Sequence, residues 1–208
     1  MILIGQYDSP FVRRVGIALS LYGMPFEHRP WSSFGNADEL RAYNPLTRVP
    51  TLVLNDGTAL TDSHIILDYL DGLVSDDQVM FPRTEPMRHR VLRIATLATG
   101  LGDKAVSLFY EKRLHGQVSD LWVDRCRRQI EETLGVLEAS RAESSTEFWF
   151  CERIGHADIA VVAVLRFLND VHADLVAIAD YPRLKAHAEK LEALPVFQAI
   201  SQPFVPPA

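Results

Sequence analysis

Apolar and polar positions alternate in two different periods along this chain, and the change of period divides it. Met1 to Ile4 is a short apolar run. Val12, Val15, Ala18, Leu19 and Tyr22 then recur at helical spacing, which predicts a helix over Pro10 to Tyr22 stopped by Gly23. A strand follows around Phe26 to Pro30, then a short helix over Ala37 to Tyr43 ended by Asn44-Pro45. "VPTLVLNDGTALT" reads as two strands joined at Asn55-Asp56-Gly57, residues suited to a tight hairpin turn. Ile65, Ile66, Tyr69, Leu70 and Leu73 lie on one face of a further helix, with Ser63 placed to cap its start. The order up to this point is β-α-β-α-β-β-α.

Residues 74 to 86, "VSDDQVMFPRTEP", lose all periodicity and carry prolines and acids, as a linker does. Beyond them only helical periods recur, near 87–114, 118–141, 156–170 and 181–194. The expected organisation is an α/β domain over 1–76, a linker over 77–86 and an all-helical domain over 87–208. There is no internal repeat.

Composition narrows the partners. An apolar content of 48% suffices for a buried core in 208 residues, and the net charge of −6, with basic residues scattered among acids, excludes a nucleic-acid binder, which needs a clustered basic face. Cys126 and Cys151 form no CxxC, and no histidine cluster has metal spacing, so neither a disulfide framework nor a metal site is expected. The N-terminus lacks a signal-type pattern, and the longest apolar stretch, Ile159 to Leu168, is too short for a bilayer and contains Arg166. A cytoplasmic protein with no membrane partner is the expectation.

Candidate chemistry begins at "GQYDSPFVRRVGIAL". Ser9 is a preferred N-cap and Pro10 suits the first helical position, so a purely local reading makes Ser9 a cap. Together with "NPLTRVPTLV" before the hairpin, "LTDSHIILDYL" after it and "YPRLKAHAEKLEALPVFQAI" near the end, however, this stretch resembles the cytosolic glutathione S-transferases. The likeness is strongest to serine-type members such as the plant tau class and a similar bacterial branch. The resemblance implies a thioredoxin-like N-terminal domain, an all-α C-terminal domain, a homodimer, and glutathione as co-substrate with a small electrophile as second substrate. It makes Ser9 the catalytic residue facing the glutathione thiol. Val49-Pro50 matches a Val-cis-Pro whose backbone pairs with the tripeptide, Asp62-Ser63 the pair that holds its γ-glutamyl end, and Arg48 lies where it reaches the glycyl carboxylate.

Tyr7 stands near a position used by tyrosine-type branches and is expected to be a wall residue of the site. Phe11, Phe34, Phe109 and Tyr110 are candidates for the second-substrate pocket between the domains. Gly155 occupies the place of a hydroxyl cap in "IGHADIAV", leaving Asp158 to supply the return contact, and His156 is expected at the surface of that helix start. Two alternatives remain open at this point: a noncatalytic ligand-binding or assembly protein, and a glutathione-dependent reductase or peroxidase. The latter requires a cysteine where this chain has Ser9.

Overall fold

A computed structural model describes residues 1–207. The first part runs β1 (Ile2–Ile4), α1 (Pro10–Leu21), β2 (Glu27–Arg29), α2 (Ala37–Arg41), β3 (Thr51–Val53), β4 (Ala59–Thr61) and α3 (Ser63–Asp71). The strands form one sheet in the order β2-β1-β3-β4, with β1 parallel to β2 and antiparallel to β3, and β3 antiparallel to β4. The remainder is helical: α4 (Met87–Leu114), α5 (Asp120–Glu143), α6 (His156–Val171), a 3₁₀ turn (Ile178–Asp180), α7 (Pro182–Glu192) and α8 (Pro195–Ala199). This is a thioredoxin-like α/β unit followed by an all-α unit. The stretch 181–200 divides into α7 and α8, because Pro195 opens a new helix directly after α7.

One continuous apolar core crosses both parts. Leu3 and Leu52 of the sheet, Val12 and Val15 of α1, Ile66 and Leu70 of α3, Ile94 of α4 and Val162 of α6 all belong to it and are buried. α1 packs against α3 on one side and α6 on the other. The opposite sheet face carries a small cluster of Ile4, Leu40 and Val53, covered by α2 and by Trp31 and Tyr43.

Between β1 and α1 the chain passes through Gly5 at φ +134°, where a β-carbon would stand 2.4 Å from Val12 Cγ2. Only glycine permits both that backbone and that approach. The turn therefore stays tight, and Ser9 arrives at the start of α1 beside the end of the sheet.

Arg13 ties α1 to the C-terminal elements. Its Nη1 and Nη2 donate to Glu192 Oε1 and Oε2 at 2.6 and 2.7 Å, and its Nε and Nη2 donate to the carbonyls of Ile200 and Phe197 at 2.9 and 3.0 Å.

Two local expectations are corrected here. His156 is not at the surface: it is fully buried, and its Nε2–H donates to Asp71 Oδ1 at 2.9 Å. Asp71 also accepts from the Tyr22 hydroxyl and from the Phe81 N–H, so the end of α3 docks on the start of α6 through one shared carboxylate. Burial drives the His156 imidazole below its ordinary pKa. Nor does Ser63 cap α3. That role falls to Asp62, whose Oδ1 accepts from the His64 N–H at 2.9 Å while Ser63 is the first helical residue.

The α6 start behaves as anticipated. Without a hydroxyl at Gly155 only half of a reciprocal cap forms, Asp158 Oδ2 accepting from the Gly155 N–H at 2.8 Å. Asp158 Oδ1 also accepts from the buried Trp149 N–H at 2.8 Å, which anchors the preceding loop.

Candidate active site

The β1–α1 turn, the loop before β3 and the start of α3 meet at one end of the sheet, where Ile4, Thr51 and Thr61 lie side by side. Arg48, Val49, Pro50, Asp62 and Ser63 all line a single chamber of about 180 Å³ there. It adjoins a larger cleft of about 380 Å³ that contains Ser9, and Phe11, Arg48, Val49 and Asp103 border both.

The loop is held from behind by Asn44, a buried residue whose Nδ2 donates to the Arg48 carbonyl at 3.1 Å and to Thr51 Oγ1 at 3.0 Å. The Thr51 hydroxyl donates to the same Arg48 carbonyl at 2.8 Å. The Val49–Pro50 peptide is cis, and among the described residues nothing hydrogen-bonds the Val49 N–H or carbonyl. The Arg48 side chain is exposed at the chamber mouth.

Asp62 sits at φ +69° and ψ 124°, a positive-φ backbone outside the left-handed helical region that residues with a side chain rarely adopt. Behind it lies Arg14 of α1, fully buried, whose Nη1 donates to Ser63 Oγ at 3.3 Å. Because the guanidinium gives that hydrogen bond, the Ser63 hydroxyl keeps its own proton to donate into the chamber. Arg14 Nε and Nη2 have no partner, and desolvation lowers its pKa to about 10 despite the attraction of Asp62. It remains a cation at neutral pH, set under the helix start.

Next along α3, His64 Nε2–H donates to Thr99 Oγ1 of α4 at 2.8 Å, and the Thr99 hydroxyl donates to the Ala95 carbonyl at 3.1 Å. Burial, assisted by the Arg14 charge, lowers the His64 pKa to about 4, so the ring is neutral at pH 7.

Ser9 is half-buried and caps α1. Its Oγ accepts from the Val12 N–H at 3.4 Å, a long cap contact that leaves the hydroxyl proton free for a group in the cleft. Phe11, Phe34, Phe109 and Tyr110 all line that cleft, as anticipated.

Tyr7 does not, which corrects its expected place in the wall. Its ring stacks on His28 with centroids 3.8 Å apart and presses against Gly16 of α1, so burial pushes its hydroxyl up to about 12. The segment after α8 takes the place in the wall that Tyr7 lacks. Gln202 Oε1 accepts from the Tyr7 N–H at 2.9 Å and Asp8 Oδ2 from the Val205 N–H at 2.9 Å, which brings Phe204 and Val205 over the cleft. Nothing in the linear pattern announces this segment. Arg14 is signalled only as a cation on the apolar face of a helix.

Among the described residues, no cluster of three or more histidine, cysteine or acidic side chains is arranged to hold a metal, and no helix is long and apolar enough to cross a membrane.

Comparison with known proteins identifies the family. Residues 3–78 match the family model of the glutathione S-transferase N-terminal domain, and residues 120–190 that of the C-terminal domain. The uncharacterized GST-like protein YibF of Escherichia coli (strain K12) is 32% identical over 170 residues, covering 81% of this chain and 82% of the relative. Glutathione S-transferase U8 of Arabidopsis thaliana is 26% identical, covering 90% and 82%. Among solved structures, a glutathione transferase family member from Pseudomonas fluorescens Pf-5 with bound glutathione superposes at a TM-score of 0.87 with 32% identity, covering 98% and 99%. The two matched family models, the relative in Escherichia coli and this superposition place the chain in the glutathione S-transferase family.

Proposed function

We propose that the protein is a glutathione transferase that binds the tripeptide in the smaller chamber and adds its thiolate to an electrophilic carbon held in the larger cleft. The observation that carries this reading is the shared border of the two spaces: the five residues expected to hold glutathione line one chamber, which has Phe11, Arg48, Val49 and Asp103 in common with the cleft that contains Ser9.

In this reading Asp62 accepts from the γ-glutamyl ammonium. The Ser63 hydroxyl and the α3 N-terminus receive its carboxylate, with the Arg14 charge reinforcing them from below. The free Val49 main chain pairs with the middle of the peptide, and Arg48 reaches the glycyl carboxylate. Ser9 then donates to the sulfur.

The sulfur–carbon bond forms as the leaving group departs with its electron pair, and the thiol proton passes to solvent. With an unperturbed thiol pKa of about 8.5, only about 3% is thiolate at pH 7, and lowering it by about two units requires about 2.7 kcal/mol. A hydrogen bond to an anion, about 1.5–3 kcal/mol, with a helix-end contribution of about 0.3–1, supplies that amount. Nucleophilicity falls along with pKa, so ionisation nets only about threefold and positioning against the electrophile supplies most of the acceleration. The larger cleft therefore governs the rate.

Ser9 also weighs against a reductase, since no sulfur is present there to form a mixed disulfide, and neither Cys126 nor Cys151 lines the cleft. Both a cytoplasmic location and a homodimer accompany this reading through the family. Titrating glutathione calorimetrically and following thioether formation with 1-chloro-2,4-dinitrobenzene tests it. Micromolar-to-millimolar binding with turnover is expected; saturable binding with no turnover across halonitroarenes, isothiocyanates and hydroperoxides would overturn the enzymatic assignment and leave a binding protein.

A further inference from the structure

The cleft beside Ser9 has an aromatic wall. Phe34, Tyr110, Phe109, Phe204 and Phe167 form an unbroken run of ring contacts, with successive centroids 5.5, 5.5, 5.2 and 5.8 Å apart. Ring faces carry the negative side of the aromatic quadrupole, so they favour cations and electron-poor rings. The charged side chains of the same cleft are Asp8, Asp103 and Arg48. Arg48 also belongs to the smaller chamber, where the transferase reading sets it against the glycyl carboxylate. With glutathione bound, the charges left facing a second substrate are two carboxylates.

Asp8 is fixed in this position because it anchors the Val205 N–H. Burial pushes its carboxyl above the ordinary carboxylate value even though the N–H groups of Val205 and Ser9 pull the other way, so it is incompletely solvated. A positive neighbour would compensate it and a negative one would add repulsion. Asp103 lies at the exposed rim where cleft and chamber meet. Wall and charges therefore select in the same direction.

Building on the transferase reading, we infer that charge selects the second substrate: the cleft takes uncharged or positively charged aromatic electrophiles and rejects those bearing a carboxylate.

The test uses the full chain and three glutathione thioethers that share a 2,6-dinitrophenyl ring and differ only at ring position 4, which bears hydrogen, carboxylate or trimethylammoniomethyl. Each is titrated calorimetrically in parallel with glutathione itself. The carboxylate thioether is expected to bind about tenfold more weakly than the hydrogen one, equivalent to about 1.4 kcal/mol. The cationic thioether should bind at least as tightly as the hydrogen one, and the spread should shrink in about 0.5 M salt, where exposed charges are screened. In the double variant Asp8→Asn, Asp103→Asn the carboxylate penalty should fall to about threefold or less; Asn at position 8 keeps an oxygen for the Val205 N–H. If glutathione binds while the carboxylate thioether binds as tightly as the hydrogen one, or the penalty survives in the double variant, the charge selection is wrong and the transferase reading stands. If neither glutathione nor any thioether binds, both are overturned.

Discussion

Arg14 Nη1 donates to Ser63 Oγ across 3.3 Å, joining the first helix to the start of the third from beneath the chamber. Its remaining Nε and Nη2 hydrogens are buried without partners, a cost of the kind proteins seldom carry without a use. Arg14→Met should raise the KM for glutathione about tenfold with little change in kcat. Its thermal unfolding midpoint should stay level or rise, because an apolar side chain of similar length removes unpaired buried donors. Ser63→Ala should act on the same parameter and combine with Arg14→Met less than additively, since both remove one connected contact. Steady-state kinetics of the three variants with a melting curve for each decides it, and a kcat collapse at constant KM would refute the arrangement.

Ser9→Ala should leave the fold nearly intact, because the cap hydrogen bond lost is long at 3.4 Å. Loss of one donor to an anion should instead raise the pKa of bound glutathione by about one to two units. Tyr7→Phe should leave that titration unmoved, since the Tyr7 ring is packed between His28 and Gly16 rather than in the cleft. Thiolate ultraviolet absorbance against pH, recorded for the glutathione complexes of all three proteins, separates the two residues. A curve that moves with Tyr7→Phe alone would transfer the role to Tyr7.

The His64 imidazole, held down to about 4 in the folded state against 6.5 for a free side chain, makes the protein sensitive to acid. Between those values the unfolded chain binds a proton that the folded one refuses, so the stabilisation is complete above pH 6.5 and is lost as pH falls toward 4. His156 and His172, both lowered chiefly by burial, act in the same direction. His64→Gln retains a donor for Thr99 without a titrating group, and should flatten part of the fall in unfolding midpoint between pH 6.5 and 4. Identical slopes for the two proteins would contradict the assignment.

Glu192→Leu should destabilise the protein by about 3 kcal/mol, near the low end expected when one partner of a buried ion pair is removed, because the Glu192 side chain keeps 25% of its exposure. Arg13, 2% exposed, would then be left with carbonyl partners alone. Urea unfolding of the variant measures the loss, and a change below about 0.5 kcal/mol would show that the carbonyls of Ile200 and Phe197 satisfy Arg13 without Glu192.

Periodicity along the chain determined the β-α-β-α-β-β-α order, the change to an all-helical remainder and the Ser9 cap, because each depends on residues within a turn or two of one another. The hairpin was legible for the same reason: Gly57 takes φ +88° between β3 and β4 as its position in Asn55-Asp56-Gly57 suggests. What local spacing cannot express is which distant segments share a face. His156 looks like a surface residue at a helix start and is fully buried because Asp71, 85 positions earlier, docks on it. Tyr7 was a plausible wall residue by its neighbourhood in sequence, yet the stack on His28 and the contact with Gly16 turn its ring into the core. The wall is supplied instead by Phe204 and Val205, brought there by hydrogen bonds that the Tyr7 N–H donates to Gln202 and the Val205 N–H to Asp8, across 195 and 197 positions. Likewise the linear pattern singles out Ser63 but not its partner Arg14, and only the packing of α1 on α3 makes them one unit. Helix and strand follow from short-range steric and hydrogen-bond preferences. A site assembled from a turn, a loop, a helix start and a returning tail exists only once long-range burial has brought them together.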